Sequence, residues 1–144
     1  SYAKAKKEFA EMKWPKTEAI LFESDMEAYG RFNKSKYYEL AAAEFLKHNN
    51  SNASALNSMA WDFYENVSDK KLLKSAILMA KRACEINSNY AFLDTYAAVL
   101  YRAGELKEAE IMANKAIDKA KEEKMTAEEY KETSKLLENI KAKK

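Results

Sequence analysis

The chain has 144 residues, a formal net charge of +2 and one cysteine, which leaves room for one compact domain or one short array, lends no bulk support to a nucleic-acid or membrane-surface partner, and excludes an internal disulfide. Gly 2 and Pro 1, with Lys, Glu and Ala abundant, point to helix rather than to strands and turns. No apolar run is long enough to span a bilayer, and no signal peptide is visible.

In chain order, apolar residues recur at helical spacing almost throughout. Tyr2, Ala5, Phe9 and Met12 form a first stripe, and Pro15 suits the first turn of a new helix. Ala19, Phe22, Met26, Tyr29 and Phe32 form the second. A third helix is predicted from about Ser35 through Tyr38, Ala41, Ala42, Phe45 and Leu46, ending at the polar run NNSN. The fourth carries Leu56, Met59, Ala60 and Phe63, and the turn ENVSD offers Ser68 or Asp69 as the next N-cap. The fifth carries Leu72, Leu73, Ala76, Met79, Ala80, Ala83 and Ile86. The sixth carries Leu93, Tyr96, Ala97 and Leu100, with Gly104 where a C-cap needs a left-handed residue. The seventh carries Leu106, Ala109, Met112, Ala113, Ala116 and Ile117. Thr126 and Glu129 form a capping box before a last helix using Tyr130, Leu137 and Ile140.

Two of these segments open alike, NSNASALNSMA from Asn50 and NSNYAFLDTYA from Asn87. Ala60 and Ala97 stand 37 positions apart, whereas Ala76 and Ala109, Ala80 and Ala113, and Ala83 and Ala116 each stand 33 apart. The difference is a longer turn inside the first unit. A helix–turn–helix recurring at about 34 residues is an array signature. Each hairpin leaves an apolar face uncovered until the next one stacks on it. The small residues let the helices approach closely.

On these residues the chain resembles the tetratricopeptide repeat family. One unit matches its motif at Leu56, Met59, Ala60, Phe63, Ala76, Ala80 and Ala83, with Ser88 where the family's closing Pro would stand. The next matches at Leu93, Tyr96, Ala97, Leu100, Ala109, Ala113 and Ala116, with Lys121 in place of the Pro, so that the seventh helix is free to run on. The resemblance implies an all-α fold, an α-α superhelix of about eight helices in antiparallel hairpins. It is read as a single domain over 1–144, with degenerate helices over 1–50, clear repeats over 53–87 and 90–121, and a capping helix over 126–142.

The stretches SALNSMAWDFYENVSDKKLLKSAILMAKRACEIN and NYAFLDTYAAVLYRAGELKEAE are also similar to the helical C-terminal part of certain bacterial thioredoxin-like proteins. In those, a separate thioredoxin domain carries a C-x-x-C pair, which this chain lacks. That resemblance implies an extracytoplasmic (periplasmic) location, and without it the expectation is cytoplasmic.

Candidate sites are few. Cys84 takes a position usually filled by a buried aliphatic and reads as packing. His48, the single histidine, provides no His-based metal cluster and is expected to cap a helix end or lie exposed to solvent. The carboxylates lie on Lys-rich faces and read as solvated, as do the KAKK tails near both ends. No nucleotide-binding loop or zinc-protease motif occurs. The sequence therefore suggests no enzyme, no cofactor and no metal.

The remaining candidate is a face of the first helices. Asn57, Trp61 and Tyr64 lie beside the packing stripe, and Asp94, Tyr101 and the adjacent Arg102 are their counterparts in the next unit. In the tetratricopeptide family the first helices line a concave peptide groove, and Trp, Tyr and Arg are enriched at binding hot spots. The family's clamp for a C-terminal carboxylate is not expected, because Trp61, Asp94 and Ala98 stand where Asn or basic residues are needed. The expected function is that of a protein–protein interaction or scaffold module taking a protein or peptide partner, with no nucleic acid and no membrane insertion. The alternative is the non-catalytic helical domain of a thioredoxin-like thiol–disulfide oxidoreductase.

Overall fold

Polar side chains set the helix boundaries. In a computed structural model describing residues 1–11 and 17–144, and side chains over 1–8 and 17–144, Asn52 accepts a hydrogen bond from the Ala55 N–H at 3.0 Å, and Asn89 accepts one from Phe92 at 2.9 Å. These are the third letters of the two NSN words, and each satisfies an amide that the first turn of a helix leaves without a partner. Asp69, rather than Ser68, does the same for Lys71 and Leu72. The helices are α1 (Tyr2–Glu11), α2 (Thr17–Phe32), α3 (Lys34–His48), α4 (Ala53–Asn66), α5 (Lys70–Ile86), α6 (Tyr90–Ala103), α7 (Leu106–Glu122) and α8 (Lys131–Lys143). The fold is all-α, with no strand among the described residues. Met12 and Pro15 lie outside the described residues, as does the side chain of Phe9.

The chain divides into two compact units, Ser1–His48 and Asn49–Lys144. In the first, α2 and α3 form a hairpin around Phe22, Met26 and Ala41. The Phe22 ring meets Phe45 edge-on at 6.2 Å. A charged knot holds α1 to α2: buried Asp25 accepts from the Tyr2 hydroxyl at 2.6 Å and pairs with the Lys6 ammonium at 2.8 Å. Phe32, expected in the apolar stripe, is 84% exposed. It is the last residue of α2, and with only Asn33 before α3 turns back, the returning helix does not cover it.

In the second unit each consecutive pair of helices from α4 to α8 packs together, and α6 also meets α4 and α8. Ala60, Ala76, Ala80, Ala83, Ala97, Ala109, Ala113 and Ala116 are all fully buried, around Leu56, Phe63, Leu73, Met79, Val99 and Leu100. The 33- and 37-residue offsets thus link positions that are buried alike in α4/α5 and in α6/α7. Ile86, expected in the stripe of α5, is its last residue and is 41% exposed.

Both turns flanking α7 close through a left-handed residue. Gly104 (φ 87°) lets its own N–H reach the Tyr101 carbonyl while the Glu105 N–H reaches Leu100. After α7, which reaches Glu122 and then stops, Lys124 (φ 60°) does the same work with a side chain attached. The capping box is formed, Thr126 N–H to Glu129 at 2.7 Å and Glu129 N–H to Thr126 Oγ1 at 3.3 Å, but helical geometry begins later, at Lys131. Of the predicted stripe Tyr130, Leu137 and Ile140, helix α8 fully buries Ile140, leaves Tyr130 and Leu137 half-buried, and buries Thr133 and Leu136 in their place. A threonine does not count as apolar in a periodicity, yet its hydroxyl bond to α6 sets the rotation of this helix.

Because Ala97 and Ala109 are fully buried at helix contacts, either change to Leu is expected to cost ~1–3 kcal/mol by overpacking. Chemical denaturation would measure it, with Ile111→Lys at an exposed site as the unaffected comparison.

Candidate functional site

The six residues proposed to line a groove have separate fates. Trp61 and Tyr64 lie one turn apart on α4 with ring centroids 4.8 Å apart and planes inclined at 31°. Trp61 stays 37% exposed. One turn earlier Asn57 is half-buried, and its Oδ1 is enclosed with no hydrogen-bond donor reaching it among the described residues. Most buried polar atoms are paired, so an enclosed acceptor without a donor is a feature to explain.

The counterparts on α6 are engaged by the fold. Asp94 accepts a 2.5 Å hydrogen bond from Thr133 Oγ1 on α8, and the Tyr90 hydroxyl lies 2.6 Å from the same Thr133 oxygen. With Thr133 donating to the carboxylate, Tyr90 donates to Thr133, and three side chains form one relay. Burial pushes the Asp94 carboxyl above its ordinary range, with a smaller upward push from Glu132, and the Thr133 hydroxyl acts against both. Tyr101 is half-buried with the Lys143 ammonium 4.7 Å above its ring. Arg102 donates through Nε to the Val67 carbonyl at 3.1 Å, tying the end of α6 to the end of α4. Thr133 beside Asp94 and Lys143 beside Tyr101 make α8 run in the same direction as α6. Sequence reading set these α6 residues on a face free of packing, whereas polar contacts from α8 and from Val67 use that face.

A hollow of about 570 Å³ opens between α5 and α7 over α6. Cys84, Leu93, Tyr96 and Met112 line it, with charges of both signs around them. The repeat offset could have located it, since Met112 stands 33 positions after Met79. Cys84 is buried there, and burial, with Glu85 adding to it, pushes its thiol up to about 11. That is the reverse of an activated cysteine. The Ser88 hydroxyl, where the motif would have proline, donates to the Cys84 carbonyl at 2.9 Å and closes the end of α5.

In the first unit the lone histidine, expected at a helix end or in solvent, is the last residue of α3 but has its side chain largely covered, and it gains partners that counting histidines did not suggest. One donor atom each from Glu18, Glu44 and His48 lies within 4.8 Å of the others, a grouping able to hold a metal ion. No helix among the described residues is long and apolar enough to cross a membrane. Comparison of the chain with protein-family models, with curated proteins and with solved structures found no match.

Two outcomes follow from these environments. Asp94 titrates at higher pH folded than unfolded, so its contribution to stability is complete below the ordinary carboxylate range and is lost as pH rises through the folded value. Asp94→Asn keeps an acceptor for Thr133 without that loss, and should gain stability relative to the parent as pH goes from acid to neutral. Urea midpoints across that interval would measure it, and a constant difference would contradict the raised carboxyl. At neutral pH a thiol titrating near the value of Cys84 is thiolate in about one molecule in ten thousand. Iodoacetamide should therefore label the native chain far more slowly than the denatured chain, and the native chain should not reduce insulin disulfides. Mass spectrometry and a turbidity assay would read the two.

Proposed function

We propose that this chain is a non-catalytic helical-repeat module of the tetratricopeptide kind, and that it binds a peptide or protein segment along its first helices, centred on α4. Support for the array comes from the two hairpins α4/α5 and α6/α7, which bury alanines at matching offsets. The observation that carries the binding reading is the Trp61–Tyr64 pair, exposed at Trp61 and half-buried at Tyr64, next to the enclosed Asn57 Oδ1 that no donor reaches among the described residues. An aromatic pair offers large apolar area at little cost in conformational freedom, and an amide acceptor beside it suits a peptide N–H once the carboxamide turns outward. Asp94, Tyr101 and Arg102 act here mainly by holding α6 in place, which leaves α4 as the centre of binding.

A random peptide display library selected on the parent chain tests this. Enriched peptides should lose about thirtyfold in affinity with Trp61→Ala, the size of a hot-spot truncation. Asn57→Ala should weaken binding while leaving stability nearly unchanged, because its acceptor oxygen has no donor to lose. Arg102→Ala should instead lower stability through the orphaned Val67 carbonyl. An unenriched library, or equal binding by folded Trp61→Ala and Asn57→Ala, would remove the proposal.

A further inference from the structure

We propose that Glu18, Glu44 and His48 form a binding site for one divalent transition-metal ion, such as Zn²⁺, that clips the start of α2 to the end of α3. Glu44 and His48 are one turn apart on α3 and present both donors to the same side, with Nε2 3.8 Å from Glu44 Oε2. Two ligands of a tetrahedral zinc ion, each at its usual bond length, lie about 3.4 Å apart. That pair is therefore close to ligand spacing already. Glu18 comes from the facing helix, and all three donor atoms fall within 4.8 Å of one another, so side-chain rotation alone brings in the third.

The histidine is oriented for this. Its ring stacks on Phe22 with centroids 4.6 Å apart and planes at 19°, and its side chain is only 12% exposed. The stacking fixes the ring plane, and Nε2 is the atom that faces the Glu44 carboxylate. Fixing a ligand by its surroundings lowers the entropy lost when metal binds. The same three residues border a hollow of about 190 Å³ with room for the solvent ligand that a three-residue site needs.

A cation already occupies this neighbourhood. The Lys47 ammonium makes a close ion pair with Glu18 and lies 4.0 Å from Glu44. It therefore competes with any other cation for the Glu18 carboxylate. One imidazole with two carboxylates suits a borderline ion such as Zn²⁺ better than a hard one such as Ca²⁺. A bound ion would take both carboxylates and release the lysine to solvent.

Isothermal titration of the full chain with zinc chloride tests the site. One ion per chain is expected. His48→Gln should weaken binding at least tenfold, and Lys47→Gln should tighten it by removing the competing ammonium. Because His48 also packs on Phe22, Glu18→Gln, at an exposed position, gives an independent reading and should weaken binding severalfold with unchanged circular dichroism. Cys84→Ser should leave the titration as it was. The site is overturned by no saturable uptake, by uptake that Glu18→Gln leaves unchanged, by weaker uptake in Lys47→Gln, or by uptake lost in Cys84→Ser.

Discussion

Close approach over alanine is the constraint on which the 49–144 unit depends. α4, α5, α6 and α7 each bring fully buried alanines to their contacts, and larger residues such as Phe63, Leu73, Met79 and Leu100 fill the space between. An alanine contact brings little apolar area by itself, but it sets helix separation, and the area buried by the larger neighbours follows from that separation. Because α6 packs against α4, α5, α7 and α8, it is the member through which the others are joined. Its middle is buried almost continuously from Thr95 to Leu100, which leaves α6 little free surface for any other task.

The polar groups divide into those that end helices and those that join them. Asn52, Asp69, Asn89 and the Thr126–Glu129 pair act within a few residues of themselves. Arg102 on Val67, Asp94 on Thr133 and Tyr2 on Asp25 act between helices. Part of the local kind was legible in the sequence, the Thr126–Glu129 box and the choice of Ser68 or Asp69, because a cap and its target stand at fixed spacing, and the NSN words marked where two helices open. So were the repeat offsets and Gly104. The long-range kind was not. Thr133 lies 39 positions from Asp94 and Val67 lies 35 from Arg102, and no periodicity links such pairs.

The same division explains what could be read of the candidate site. Trp61 and Tyr64 were visible as aromatic residues beside a packing stripe, and they remain together at the surface of α4. Asp94, Tyr101 and Arg102 look equivalent to them by offset, yet α8 and the end of α4 engage them. Helix α8 hid this because its buried face is led by a threonine, which hydropathy does not count. The Glu18–Glu44–His48 grouping was hidden because its members come from two helices and its lone histidine gave no pattern to find. The lysine between the carboxylates would also lead any reader to call the region a solvated ion-pair face.

Helix α8 is fastened unlike at its two ends. Near its start the Thr133 hydroxyl is fully buried in a relay with Asp94 and Tyr90. At its finish the Lys143 ammonium over Tyr101 and the Lys144–Glu110 pair are both cationic contacts close to solvent. Dissolved salt screens the second kind and scarcely touches the first. Rising ionic strength should therefore loosen only the last turn of α8, beyond the buried Ile140, and lift the Lys143 ammonium from the ring of Tyr101, while Ile140 and the N-terminal end stay moored, so that the final residues form a fringe whose position is set by the ions around it.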